Sequence, residues 1–287
     1  MPPAPRTPAP RAPAPPPPPV TAATAVPKRS FTAVPWTGAN EGKKILIYAP
    51  SGMGKTTLAA MAPDPVFVGI DDGGRLIPNP KTGQPVLHVP GIETFLDVRA
   101  ALQSDVFDGH KSIVIDTVTE LQELALRFTY ASVPGPGGST ARNIEDYGYS
   151  KGYRYLRDTM HLLLSDLDQQ IRKGCNVILL CQSATMKERT EGADYLKDGP
   201  DLSHNGMGSV RSDYIAWCDH IFRINWETVA VTKDRKIAPT SGRVIQTQPD
   251  ASFHAKSRGT ALAGVPVVSF NEPADDSIWR FLFPEGA

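Results

Sequence analysis

The sequence is poor in cysteine and contains no long hydrophobic run. Its 287 residues include three cysteines, too few for a disulfide framework. Cys175 and Cys181 fall on one predicted strand, roughly 20 Å apart and too far to bridge, which indicates a reducing compartment. The hydrophobic runs are well short of the about 20 residues of a membrane helix, and the N-terminus has no apolar signal core. These features predict a cytoplasmic protein without a membrane partner.

The sequence also has no excess of charge of either sign. Thirty basic residues balance thirty acidic residues, so the formal net charge is zero. Such a chain has no overall field to attract a polyanion, and any contact with nucleic acid must come from a local patch. No group of cysteines and histidines has the spacing of a zinc site.

Composition divides the chain unevenly. Residues 1–30 are rich in proline and alanine, favour polyproline II and have too few apolar side chains to form a core. Their charges are all basic, so this segment is either an arm that recruits a partner or phosphates, or a solvated tail without a partner. Residues 31–287 are predicted to form the folded domain.

The folded part is predicted to be an α/β domain. Short, bounded apolar segments indicate buried strands at 44–49, 66–70, 112–115 and 176–181. Strands that are apolar throughout are typical of a parallel sheet covered on both faces. Leucine, methionine and isoleucine repeat every three or four residues over 153–171, which predicts a long helix ending near Gly174. After residue 220 the pattern favours strands, which predicts a β-rich C-terminal extension of the sheet.

The segment "APSGMGKTT" at 49–57 is the clearest chemical motif. It follows a predicted strand and precedes a helix, as a phosphate-binding loop requires. Its glycines allow backbone N–H groups to surround a phosphate, its lysine places a positive charge on the β/γ oxygens, and its first threonine can bind Mg²⁺. Ala49 replaces the usual first glycine. The predicted ATP-binding residues are Pro50, Ser51, Gly52, Met53, Gly54, Lys55, Thr56 and Thr57.

A carboxylate follows the apolar strand at 112–115. Asp116 is predicted to hold Mg²⁺ through a water molecule, next to Thr56 as the second metal-binding residue. Alternatively, Asp116 and Thr117 cap the next helix, since Thr117 and Glu120 have the spacing of a capping box. The two roles are compatible.

A second acidic pair follows the strand at 66–70. Asp72, with Asp71 as the next choice, is predicted to orient or deprotonate the water that attacks ATP. The alternative is that these residues only form a turn.

These motifs and their order resemble the RecA-type recombinase ATPases. The resemblance rests on the phosphate loop, "IVIDT" at 113–117 and "ILLCQSATMK" at 178–187. "FHAKSRGT" at 253–260 is similar to the Lys-x-Arg-x-Gly element of RadA and of RecA-fold replicative helicases. "DYGYSKGY" at 146–153 is similar to a segment of the phage Sak branch of single-strand annealing proteins. The resemblance covers roughly residues 43 to 270.

The resemblance implies a RecA-like fold and a homo-oligomeric ring or filament with composite ATP sites. It implies that Gln182 is the polar sensor after the strand at 176–181 and acts in hydrolysis. It also implies that Lys256 and Arg258 lie at a subunit interface and contact the γ-phosphate of ATP bound to a neighbouring subunit. The residues themselves leave open an intramolecular salt bridge or a solvated strand face.

The segment 184–213 is long, polar and rich in glycine, and it is interpreted as a loop. Its cations can neutralise phosphates and its tyrosine can stack on a base, although several acidic residues offset the charge. The alternative is a mobile surface loop. The predicted DNA contacts are Lys187, Arg189, Tyr195, Lys197 and Arg211.

Together these patterns predict a Mg²⁺-dependent ATPase that binds ATP and single-stranded DNA and promotes strand annealing or pairing in phage homologous recombination. One alternative is a ring-forming helicase motor with the same core. Another is an annealing scaffold that binds ATP with negligible turnover.

Overall fold

The computed structural model describes residues 32–33, 35, 40–70, 72–148, 150–190, 192–205, 208–227, 229–231, 237–239 and 242–284. The chain forms two units, Met1–Thr37 and Gly38–Ala287. Only residues 32, 33 and 35 of the first unit are described, so the proline-rich segment 1–30 lies outside the described residues. The elements given below belong to the second unit.

The second unit alternates strands with helices and ends in several short strands. The strands are β1 (Lys44–Tyr48), β2 (Pro65–Gly69), β3 (Leu87–His88), β4 (Ser112–Asp116), β5 (Asn176–Cys181), β6 (Ser183–Thr190), β7 (Ala193–Pro200), β8 (His204–Asn205), β9 (Gly208–Ser209), β10 (His220–Trp226), β11 (Val229–Val231), β12 (Ile237–Pro239), β13 (Arg243–Gln246), β14 (Lys256–Ser257) and β15 (Val267–Ser269). The α-helices are α1 (Lys55–Ala59), α2 (Phe95–Gln103), α3 (Val118–Ser132), α4 (Lys151–Arg172), α5 (Val210–Trp217) and α6 (Ser277–Leu282). Short 3₁₀ helices are Asp72–Leu76, Pro136–Gly138 and Ile144–Tyr147.

The central sheet is parallel, with an antiparallel edge at the C-terminal side. Strands pair in the order β10-β1-β5-β4-β2-β3, and each of these pairs is parallel. β13 and β14 pair antiparallel to β10, and β15 pairs antiparallel to β13. The predicted α/β fold with a mostly parallel sheet and a β-rich C-terminal extension is confirmed. The carboxyl ends of β1, β5 and β4 lie side by side, where parallel α/β sheets bind their ligands.

Both faces of the sheet are covered. Along β1, Leu46 and Tyr48 pack into one hydrophobic cluster with α2, α3, α4 and α5. Ile45 and Ile47 pack into a second cluster with α1 and α6. Because side chains alternate between the two faces and both faces are covered, Ile45 to Tyr48 are all buried.

The long predicted helix is present as α4, and two buried polar contacts fix it to its neighbours. The Asp166 carboxylate, almost fully buried, accepts hydrogen bonds from Arg99 Nε at 2.6 Å and from Gln103 Nε2 at 2.8 Å, both on α2. The helix ends at Arg172, and Gly174 follows with φ of +91°, a conformation that favours glycine. No helix within the described ranges is long and apolar enough to cross a membrane.

The interpretation of 184–213 as a loop is wrong. β6 and β7 form an antiparallel hairpin in which Thr190 pairs with Ala193, and α5 begins at Val210. The two-residue connection contains Gly192, which has φ of +146°. Glycine at such a turn is a hairpin signal, but the strands carry so many charged residues that the segment looks like a loop.

Candidate functional site

The phosphate loop leaves β1 and turns into α1. Gly52 and Gly54 have φ of +77° and +92°, which only glycine adopts easily. Gly54 also lacks room for a side chain, because an added Cβ would lie 2.7 Å from Arg243 Nη1 and 3.0 Å from the Phe270 ring. Ala49, in place of the usual first glycine, is fully buried in the core below the loop.

Lys55, the first residue of α1, extends back over the loop. Its Nζ donates hydrogen bonds to the carbonyl oxygens of Ala49 at 2.9 Å and Pro50 at 3.1 Å, and to Gln182 Oε1 at 3.1 Å. The side chain is almost completely buried, so its charge acts in a region of low dielectric. Gln182 lies directly after β5, which sits between β1 and β4.

Thr56 and Asp116 face each other across the same cavity. Thr56 Oγ1 donates a hydrogen bond of 2.8 Å to Asp116 Oδ2, and the Asp116 carboxylate is 3% exposed at the end of β4. A hydroxyl beside one carboxylate suits Mg²⁺, which takes few protein oxygens and completes its octahedron with waters and phosphate oxygens. Groups of three or more acidic, histidine or cysteine ligands are absent from the described part of the chain. The residues therefore fit Mg²⁺ bound with a nucleotide.

The helix-capping role of Thr117 is compatible with this arrangement. Thr117 Oγ1 accepts a hydrogen bond from the Glu120 backbone N–H at 3.3 Å and caps α3. Asp116 meanwhile faces Thr56, so neighbouring residues serve the two roles that the sequence left open.

A cavity of about 280 Å³ lies over the loop. Its walls contain Lys55, Asp116 and Gln182, together with the other lining residues Ser51, Gly52, Gly54, Thr56, Thr57, Gly73, Ile77 and Thr117. Pro50 contributes the carbonyl that binds Lys55. The Met53 side chain is buried in the core, so this residue contributes backbone only. Most of the predicted phosphate-loop residues thus line one cavity.

A profile of the AAA domain family matches residues 41–259. The chain belongs to the AAA domain family. Similar solved structures include the RadB recombinase, at 18% identity, covering 72% of this chain and 80% of that one with a TM-score of 0.40. Another is the KaiC-like protein PH0186 from Pyrococcus horikoshii OT3, at 14% identity, covering 80% and 90% with a TM-score of 0.40. A comparison with curated proteins found no match.

The family match and the geometry of residues 49–57 together identify an AAA domain with a phosphate-binding loop. Its candidate nucleotide site is at the carboxyl ends of β1, β4 and β5. The closer assignment to the phage annealing proteins stays a prediction.

Only the backbone of Asp72, the predicted water-orienting residue of this AAA domain, is described. Asp72 begins a 3₁₀ helix whose next residue, Gly73, lines the nucleotide cavity. The Asp72 side chain and all of Asp71 lie outside the described residues.

Lys256 and Arg258 lie away from this cavity, against the end of α5. Lys256 Nζ donates a hydrogen bond of 2.6 Å to the Ile215 carbonyl oxygen. Arg258 Nη1 forms an ion pair of 3.0 Å with Asp219 Oδ1, and its side chain is 59% exposed. Within one subunit these cations thus have the intramolecular partners that the sequence left open as an alternative.

The predicted DNA-binding residues fall into two groups. Lys187 and Tyr195 lie on the hairpin, where Lys187 is 74% exposed and 3.7 Å from Asp194 Oδ2. Lys197 is also on the hairpin and half-buried, and the Arg189 side chain lies outside the described residues. Arg211 differs, because it is the second residue of α5 and is 1% exposed. The prediction of Arg211 as a solvent-facing loop cation is wrong.

Arg243 is a residue of this site that the sequence did not reveal. Its Nη1 donates a hydrogen bond of 3.0 Å to the Met53 carbonyl oxygen, and its guanidinium lies 4.6 Å from the centre of the Phe270 ring. The arginine therefore supports the phosphate loop from β13. No local motif marks it, since the contact joins residues 190 positions apart.

Burial keeps the thiol next to this site neutral. Cys181, at the end of β5, is fully buried, and burial raises its pKa to about 12. Thr119 Oγ1 lies 3.3 Å from its Sγ and also accepts a hydrogen bond from the Gln182 backbone N–H at 3.0 Å. The Gln182 backbone is thus held in place by α3, while its side chain faces Lys55.

Proposed function

We propose that this protein binds and hydrolyses MgATP, binds single-stranded DNA, and promotes annealing or pairing of strands in phage homologous recombination. The main supporting observation is the convergence of Lys55, Thr56, Asp116 and Gln182 on one cavity. The family match and the sequence resemblance to the RecA-like Sak proteins supply the rest of the argument.

Each side chain of the cavity has a role that its position suggests. Lys55 exchanges its loop carbonyls for β- and γ-phosphate oxygens. Thr56 and Asp116 hold Mg²⁺, which when bound neutralises the charge that develops on the phosphates. Asp72 or a neighbour orients the attacking water. When Lys55 turns to the phosphates, Gln182 loses the hydrogen bond that its Oε1 accepts from Lys55, and its amide Nε2 can donate to a γ-phosphate oxygen.

The link between ATP and DNA runs through Gln182. This residue directly precedes β6, and its carbonyl oxygen accepts a hydrogen bond from the Asp201 N–H at the base of β7. A change at Gln182 therefore acts on both ends of the hairpin. β6 and β7 contain Lys187, Arg189, Tyr195 and Lys197, the residues that we assign to the DNA strand.

Assembly completes the ATP site in this proposal. In a ring or filament, Lys256 and Arg258 reach the γ-phosphate of ATP on the neighbouring subunit. Arg258 is exposed and held by one surface ion pair, and such pairs contribute little stability and exchange readily. A cation supplied in this way accelerates phosphoryl transfer by roughly 10³ to 10⁵.

The proposed function is tested by annealing of two complementary fluorescent oligonucleotides with the protein and MgATP. We expect annealing faster than the spontaneous rate, and salt-sensitive binding of each single strand. Neutralising Lys187 and Lys197 together should reduce the salt slope by about one unit per lost phosphate contact. Unwinding of a duplex instead of annealing would favour a helicase motor, and no binding of single strands would contradict the proposal.

A further inference from the structure

A second, larger cavity lies beneath the hairpin. It has a volume of about 620 Å³, and its lining residues include Lys187 and Glu188 of β6, Arg211 of α5, and Lys256 of β14. It shares no lining residue with the nucleotide cavity within the described ranges. The function proposed above assigns Lys187 to DNA and Lys256 to ATP on a neighbouring subunit, but it gives Arg211 no ligand.

Arg211 is the unusual residue of this cavity. Its side chain is 1% exposed, and Nε, Nη1 and Nη2 all lack a hydrogen-bond partner among the described residues. Burial lowers the pKa of the guanidinium, while Glu188 is the strongest of the nearby charges that raise it. An arginine still stays protonated in proteins, so a full positive charge is buried next to the cavity.

The protein provides a space for this guanidinium. It lies against Gly199 of β7, where an added Cβ would be 1.8 Å from Arg211 Nη2 and 2.6 Å from Cζ. Gly199 has an ordinary φ, so the reason for glycine here is space and not backbone conformation. A charge held so specifically, yet without a hydrogen bond, is strongly unfavourable unless a partner compensates it.

The partner is not another lining residue. Glu188 is the only carboxylate among the described residues of the cavity wall, and its Oε1 is 2.7 Å from His254 Nε2. Against this one carboxylate stand the cations Lys187, Arg211 and Lys256. The cavity wall therefore has an excess of positive charge, and its buried donors without a hydrogen-bond partner among the described residues are those of Arg211.

We propose that this cavity binds the oxyanion of a phosphate or phosphate ester, with the Arg211 guanidinium as its principal ligand. Arginine suits such a group because its planar fork of N–H donors matches two oxyanion oxygens. In choosing a DNA backbone phosphate as the natural source, the inference rests on the proposed function. A free phosphate or a nucleotide has the same chemistry, and the experiment separates these sources.

The test uses the Lys55→Ala full-length variant, so that the phosphate loop contributes little. Inorganic phosphate replaces chloride at constant ionic strength, and the melting midpoint is followed. We expect a saturable rise of about 3 °C or more. Arg211→Met should abolish this rise and increase the midpoint without phosphate, because an apolar side chain of similar length replaces an uncompensated buried cation.

A second variant covers the case in which Arg211→Met does not fold. Lys187 is 74% exposed, so Lys187→Ala should fold normally and weaken phosphate binding by about threefold to tenfold. The matched control is Lys173→Ala, another exposed lysine paired with an aspartate, which should leave phosphate binding unchanged. A midpoint that phosphate does not raise, or raises equally in Arg211→Met, would overturn the proposal and leave Arg211 as a hydrated structural residue.

The source of the phosphate is identified in a parallel titration with unphosphorylated 20-nucleotide oligo(dT). A midpoint rise that Arg211→Met abolishes assigns the site to the DNA backbone. A rise that persists in Arg211→Met, while the response to inorganic phosphate is lost, assigns it to free or nucleotide phosphate. If oligo(dT) does not bind at all, the proposed DNA function fails, while the titration with inorganic phosphate still shows whether the cavity binds an oxyanion.

Discussion

Replacing Lys55 with alanine removes the one ammonium group that the structure places inside the phosphate loop. In the free protein Nζ donates to two loop carbonyls and to Gln182 Oε1. With ATP bound, these neutral acceptors are exchanged for charged phosphate oxygens. A hydrogen bond to a charged group contributes about 1.5–3 kcal/mol more than a contact with water, and partial burial of the pair increases the Coulomb attraction.

The expected loss is therefore about 3 kcal/mol of binding free energy, or roughly a 150-fold increase in the Kd for MgATP. The fold should survive, because water entering the cavity can hydrogen-bond to the carbonyls of Ala49 and Pro50 that lose their donor. Isothermal titration calorimetry gives the Kd, and thermal unfolding checks the fold. Lys111→Ala, at an exposed lysine directly before β4, is the control and should leave both unchanged.

An affinity of Lys55→Ala within about threefold of the wild type, with an unchanged melting midpoint, would refute this reasoning. Such a result would mean that the ammonium stays on the loop carbonyls and Gln182 when nucleotide binds. The phosphate-loop assignment would then rest on the backbone alone.

Three further perturbations test other parts of the site and the fold. Asp116→Asn keeps an oxygen that accepts from Thr56 but removes the negative charge, so the Mg²⁺ concentration for half-maximal ATPase activity should rise at least about tenfold. Asp108→Asn, at an exposed aspartate, is the control and should leave this concentration unchanged. An unchanged concentration in Asp116→Asn would argue against a metal role. Burial, and then the Lys43 charge, lower the pKa of His220 to about 4. As the pH falls, the unfolded chain therefore binds a proton at His220 before the folded chain does. The folded protein should have the full contribution of about 3 kcal/mol above pH 6.5 and lose it as the pH falls toward 4. If the free energies of unfolding in urea of wild type and His220→Asn differ by the same amount from pH 7 to 4.5, this prediction is contradicted. Arg258→Ala and Lys55→Ala should each hydrolyse ATP poorly, and mixing them should restore part of the activity if Arg258 acts on the neighbouring subunit; mixtures that co-assemble without recovery would exclude that role.

The parts of the fold with local signals were predictable from the sequence. The four inner strands are short apolar segments bounded by turn residues, and the structure has them within one residue of the predicted ends. The phosphate loop is likewise local, because its glycines, lysine and threonine are consecutive. Asp116 was predicted because a carboxylate directly follows an apolar strand. It reaches Thr56 because the carboxyl ends of parallel strands meet at one edge of the sheet.

The remaining features depend on contacts between distant residues. The two strands of the hairpin contain many charged residues, so their sequence does not alternate between apolar and polar side chains as a half-buried strand does. Arg211 is buried because Gly199 leaves space for its guanidinium, and Arg243 supports the loop across 190 positions of sequence. No motif within a single segment predicts either contact. The first places Arg211 in the interior, and the second adds Arg243 to the residues that support the phosphate loop.

The most direct test of the central claim is the rate of phosphate release from ATP by the purified full-length protein, with and without single-stranded DNA. The account predicts Mg²⁺-dependent release that DNA stimulates and that Asp116→Asn reduces by at least about a hundredfold, because the charge that holds the metal is lost. Release no faster than that of the variant, under both conditions, would contradict the claim that this cavity hydrolyses ATP.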